Sequence, residues 1–205
     1  MKKLLLSALA VCAFTFSNAQ ETETTESNGG FAKGDMMISG AFSIGSMSNI
    51  DGDKDDSSSD FSFSPKFGYF VTDNIAAGVK LEYGVEKAEY AGNDYKDMQN
   101  LSAGVFGRYY MTPASKFSVF AELGFDYVSS ENKLSGVVNG KNSGFDIGAG
   151  VGVSYFISNS FALEANWGML GYETMKNEAD GAESENKFGL GLDTRDLAIG
   201  LVYKF

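Results

Sequence analysis

A chain of 205 residues with net charge −11, no histidine and a single cysteine, Cys12, has the size of one domain. It lacks the clustered lysine and arginine that a nucleic-acid partner requires. Without histidine there is no imidazole acid–base chemistry. If Cys12 leaves with the leader described next, there is no disulfide or thiol chemistry either.

Residues 1–19 have the pattern of a secretory signal peptide. Lys2 and Lys3 form a positive start, Leu4 to Phe16 an apolar run, and Ser17 and Ala19 the small positions before a cut at Gln20. Lipidation at Cys12 is disfavoured, because Val11 stands where a small residue is expected. Residues 20–34 are acidic and polar and are expected to form a flexible N-terminal tail. No later run approaches the roughly 20 apolar residues of a spanning helix, so any membrane span must be built of strands.

From Asp35 the hydrophobic period is two. Phe61, Phe63, Phe67 and Tyr69 alternate with Ser62, Ser64, Lys66, Gly68 and Phe70. Val79, Leu81 and Tyr83 alternate with Lys80, Glu82 and Gly84, and Val119, Leu123 and Phe125 with Phe120, Glu122, Gly124 and Asp126. The same holds around Leu101–Tyr109, Phe145–Tyr155, Phe161–Met169 and Leu197–Phe205, which with Ile38–Ile44 makes eight strands. Three of them end on a tyrosine, cross a short polar turn and return: Tyr69 to Ile75, Tyr109 to Phe117, and Tyr155 to Phe161. A fourth reaches Tyr203-Lys204-Phe205. A repeated hairpin of this kind predicts an all-β, eight-stranded antiparallel up-and-down β-barrel over residues 35–205.

Period alone does not say which face is outside, since a soluble barrel would turn its bulky apolar set inward. Three features favour the transmembrane version. The second face is rich in Gly, Ser and Ala, which suits a narrow lumen, and the chain holds 25 glycines. Connections alternate between short (72–74, 112–116, 157–160) and long (49–60, 88–98, 129–142, 173–186), the asymmetry of periplasmic turns and extracellular loops. Tyr69, Tyr109, Tyr155 and Tyr203 fall on the apolar set at one end as an interface girdle, with Tyr83 and Tyr127 at the other rim. Phe188 and Leu190 are even-numbered while Leu197 and Ile199 are odd, so a bulge within 193–196 is expected, or a strand extension above the bilayer.

The hairpin repeat, the leader and the Tyr203-x-Phe205 ending resemble the small outer-membrane β-barrel family of OmpA-like, OmpX-like and OmpW-like, porin-like proteins. The resemblance implies location in the outer membrane, contact with its lipid and lipopolysaccharide, and insertion by the barrel-assembly machinery. Ile199, Leu201, Tyr203 and Phe205 would then serve as the assembly signal.

The inward set carries Lys66, Lys80, Glu82, Arg108, Glu122, Asp126, Asp146 and Glu164. Charges in a confined lumen must pair or stay hydrated. They are expected to form a salt-bridged network in which Arg108 and Glu122 pair across neighbouring strands. The other reading is a polar constriction that passes water or small ions. The aspartates of residues 51–60 lack the glycine and glutamate of a calcium loop and are expected to be a solvated acidic segment. No cofactor, metal or catalytic group is indicated. A non-enzymatic, monomeric barrel with an envelope or surface-contact role is expected; a narrow channel and adhesion or ligand binding through the loops are the alternatives.

Overall fold

A computed structural model describes residues 29–51, 54–90, 93–134, 137–178, 183–190 and 197–205; the expected signal peptide and residues 20–28 of the acidic segment lie outside these. The strands are β1 (Met36–Asp51), β2 (Lys54–Phe70), β3 (Ile75–Tyr90), β4 (Asn93–Tyr110), β5 (Phe117–Leu134), β6 (Val137–Phe156), β7 (Phe161–Asn177), β8 (Ser184–Leu190) and β9 (Leu197–Lys204). Each of β1 to β7 pairs antiparallel with the next. The ladder closes where β9 pairs with both β1 and β7, so the sheet has no free ends at its base. β8 continues the same stave upward along β7, from Leu170↔Leu190 to Lys176↔Ser184. Eight staves therefore make a closed antiparallel barrel, as the period-two pattern predicts.

The three short turns lie where expected, and the sequence explains their tightness. Thr72 Oγ1 accepts hydrogen bonds from the amides of Asn74 and Ile75, and Ser158 Oγ from those of Ser160 and Phe161. These side chains satisfy turn amides that the ladder cannot reach.

At the opposite end the structure departs from expectation. The segments anticipated as long loops (49–60, 88–98, 129–142 and 173–186) are mostly strand. The seven continuous strands run 16–20 residues, well beyond the roughly 9–11 that cross a membrane. Hairpins close at Asp51↔Lys54, Tyr90↔Asn93 and Leu134↔Val137. The apolar alternation fades in these extensions, as expected where both faces of a strand meet water. The backbone ladder persists, since it needs only partners and not greasy side chains.

The outward face carries the apolar set. Val79, Leu81, Leu101, Val105, Leu123, Leu163 and Ile199 are all about half exposed or more in the isolated chain. So continuous an apolar band far exceeds the patches tolerated on soluble monomers. β7 contains a bulge: Ala149 pairs with Leu170 but Gly150 with Gly168, leaving Met169 as the extra residue. Met169 thus leaves the outward series, and Leu170 and Tyr172 take over on even numbers, paired with Leu190 and Phe188. A Cβ at Gly150 would lie 2.3 Å from the Trp167 carbonyl oxygen, so the bulge closes only against a glycine. The parity change of the eighth stave is thereby matched on its neighbour. The bulge expected within 193–196 falls outside the described residues.

Candidate functional site

The lumen is built in three levels. The lowest is aromatic. Phe70, Phe106, Tyr110, Phe120 and Phe156 point inward and are almost wholly buried, with Met37, Ala76, Ala162 and Val202 between them. Phe31, which precedes β1, stacks on Phe70 at 4.6 Å between ring centroids and meets Phe156 edge-on at 4.8 Å. This corrects two expectations. Glycine, serine and ion pairs do not fill the whole lumen, and residues 29–34, assigned to the flexible tail, pack against the end of the barrel that carries the short turns.

Directly above lies a charged level. Arg108, 2 % exposed, donates from Nε to Glu122 at 2.5 Å and from Nη1 to both carboxylate oxygens of Glu164 at 2.9 Å. Arg108 and Glu122 face each other in the β4–β5 register, as the sequence predicts. Lys66 Nζ donates to the second oxygen of Glu122 at 2.6 Å. Tyr110 accepts from Arg108 at 3.1 Å and donates to Glu164 at 3.3 Å. The guanidinium also lies 4.3 Å from the centroid of the Phe120 ring, so aromatic floor and ionic level are one packed unit. Each buried charge here has opposite charge and hydrogen bonds, the condition under which burial is tolerated.

The third level is an open chamber of mixed lining, polar residues on one side and Trp167, Leu170 and Leu190 on another. A cavity of about 1110 Å³ lined by Ser62, Ser64, Glu82, Glu122 and Asp146 shares Lys80, Glu82 and Asp146 with a second of about 600 Å³ above it. Lys80 bonds Asp126 at 2.6 Å, and Ser64 donates to Glu82 at 2.8 Å. Asp146 faces Asp126 in the β5–β6 register and lines both cavities. The eight expected lumen charges therefore divide: Lys66, Arg108, Glu122 and Glu164 form one cluster, Lys80 and Asp126 a separate pair, and Glu82 and Asp146 line the chamber. Above the membrane span, the exposed Lys141 bonds Glu131 at 2.6 Å, and this hydrogen bond holds the Glu131 carboxyl below the usual carboxylate range. The side chains of residues 51–56 lie outside the described residues.

On the outer face Tyr69, Tyr83, Tyr109, Tyr127 and Tyr155 are exposed in two bands, and Tyr203 packs between Phe161 and Phe205. Trp167 lies on the outward parity of β7 opposite Val151 and Leu197, half-buried, and also borders the larger cavity. Residues missed from sequence were Tyr110, Phe106, Phe156 and Phe31. A signal for two of them existed. In the doublets Tyr69-Phe70, Tyr109-Tyr110 and Tyr155-Phe156 the first ring belongs to the outward set, so the second must point inward.

Comparison with known proteins agrees with this geometry. The family model for the outer membrane protein beta-barrel domain matches residues 6–205. Among solved structures, the chain is similar to the outer membrane protein OprG of Pseudomonas aeruginosa, with 16% identity and a TM-score of 0.51 over 86% of this chain and 98% of that one. It is similar to the N-terminal beta-barrel domain of OprF from the same organism (14%, 0.52, 85% and 99%) and to Neisserial surface protein A (16%, 0.50, 85% and 99%). At such identities the likeness is one of fold. No curated protein matches the chain.

Proposed function

The chain belongs to the outer membrane protein beta-barrel family, and from that premise we propose that it is a non-enzymatic, non-conducting barrel with an envelope or surface-contact role. The observation that carries this is the stack of ionic cluster on aromatic floor. Arg108, Glu164, Tyr110, Phe70, Phe120 and Phe156 are each no more than 3 % exposed and occupy the lumen's periplasmic part. A path for solutes would have to break several charge-assisted hydrogen bonds and part closely packed rings. Mechanically, lipid holds the outer belt while the ion pairs tie the staves together from inside. The strand extensions stand above the membrane as the surface offered to lipopolysaccharide or to other cells.

The barrel acts as a monomer whose outward row of Ile199, Leu201, Tyr203 and Phe205 is the signal for the assembly machinery. Planar-bilayer recording on purified folded protein tests the closed lumen: no discrete openings are expected, whereas regular stepwise conductance would assign a channel instead. A gel comparing unboiled and boiled protein checks that the recorded material is folded. Phe205→Ala should lower the amount of folded barrel in outer membranes without changing its mobility.

A further inference from the structure

The segment Gly29–Asp35 is built into the periplasmic mouth by contacts with two of its turns and with the ends of β2, β4, β6 and β9. The Phe31 amide donates to Pro113 O at 2.7 Å, in the second turn, and the Gly34 amide to Phe70 O at 2.9 Å. The Lys33 amide donates to Asp73 in the first turn at 3.1 Å. Lys204 on β9 donates to Gly30 O at 2.7 Å and lies 3.6 Å from Asp35. Phe31 itself is 2 % exposed, with its ring against Phe70, Tyr110 and Phe156.

The backbone of this segment is as specific as its contacts. Gly29, Gly30 and Gly34 have φ of 75°, 109° and 96°, values that side-chain-bearing residues seldom adopt. A Cβ on Gly29 would lie 2.5 Å from Phe156 Cβ, and one on Gly30 2.6 Å from the Ala114 carbonyl carbon. The run Gly29-Gly30-Phe31-Ala32-Lys33-Gly34 therefore fits one narrow seat. Besides its chain continuation into β1, it is held by the hydrogen bonds and ring contacts above, and no ladder places residues 29–34 in the sheet.

We propose that Gly29–Asp35 is a seated stopper, with Phe31 as the bung, that seals the periplasmic mouth beneath the Arg108 cluster. The barrel thus has two closures in series, the lower one made by residues outside the ladder. This deepens the closed-lumen reading and rests on it for the state of the whole pore, but not for the seating of Phe31.

The test uses the full chain folded in detergent. Ala162→Cys places a thiol in the wholly buried floor, and a polar maleimide reports access to it. Labelling is expected to be more than about tenfold faster when Phe31→Asp is added, with Phe31→Ala as the milder variant, while the gel shift of the folded form is kept. In planar bilayers, Arg108→Ala alone should stay silent because the stopper remains, and Arg108→Ala with Phe31→Asp should open. Equal labelling with and without Phe31→Asp overturns the stopper, as does full opening by Arg108→Ala alone. If the barrel conducts without these substitutions but Phe31→Asp still exposes the thiol of Ala162→Cys, the closed-lumen reading fails while the seating of Phe31 stands.

Discussion

Arg108 and Glu164 are bonded through two 2.9 Å contacts although their strands, β4 and β7, are not neighbours in the sheet. The pair is a strut across the lumen rather than a link along the wall. Lys66 on β2 and Glu122 on β5 form a second strut at 2.6 Å, and Arg108 joins the two through Glu122. Each strut ties staves that stand three apart in the ring of eight, which braces the barrel against ovalisation.

Removing one end of the strut leaves a buried charge short of its partner. Glu164→Ala should destabilise the barrel by about 3–5 kcal/mol, read from urea unfolding in detergent micelles. Replacing both ends, Arg108→Met with Glu164→Met, should cost less than Glu164→Ala alone, since no charge is then stranded. Equal or larger loss in the double variant would mean that the pair contributes net attraction beyond its own desolvation.

Two glycines, Gly152 facing the lumen and Gly107 on the outward face opposite Leu123, make a contrasting pair. A Cβ at Gly152 would lie 2.3 Å from the Phe120 ring, whereas one at Gly107 meets nothing within 4 Å. Gly152→Ala should cost about 1–3 kcal/mol by displacing the ring beneath Arg108. Gly107→Ala should change stability by less than about 0.5 kcal/mol in the same unfolding assay.

Orientation of the two faces can be tested from the lipid side. Leu123 is 61 % exposed at mid-height on β5. Leu123→Arg should destabilise the barrel in lipid vesicles by about 2–4 kcal/mol, the penalty for a cation at the bilayer midplane. Asn132→Arg, higher on the same strand, should be nearly neutral. Brominated acyl chains should quench Trp167, the sole tryptophan, from the same face.

The Glu131–Lys141 pair lies in water above the membrane span. Titration of the Glu131 carboxyl by NMR should give a value below the ordinary glutamate range, restored by Lys141→Ala. Because the folded value is lowered, the contribution of the pair is present above the unfolded value and lost as pH falls through the folded one. Salt should erase most of the effect, as it does for exposed pairs.

What the sequence determined by itself was the barrel wall. Period two is set by the pleat, and a lipid-facing stave must keep one apolar face for its whole transmembrane length, so the pattern from Phe117 to Tyr127 is legible without coordinates. The same logic made Arg108 and Glu122 partners, because two inward residues at the same height on adjacent strands must meet. The strand extensions above the membrane were not legible. With water on both sides no residue type is required, and only the continued ladder reveals them.

Only the closed tertiary structure decided what crosses the lumen. Contacts such as Arg108 to Glu164, 56 residues apart, depend on the curvature that brings β4 within reach of β7, three staves away, and no local pattern encodes that. The seat of Phe31 is of the same kind. Gly29 to Gly34 looks like a solvated tail in composition, yet the Phe31 ring and the backbone find partners on two turns and four staves that exist together only after the barrel has closed.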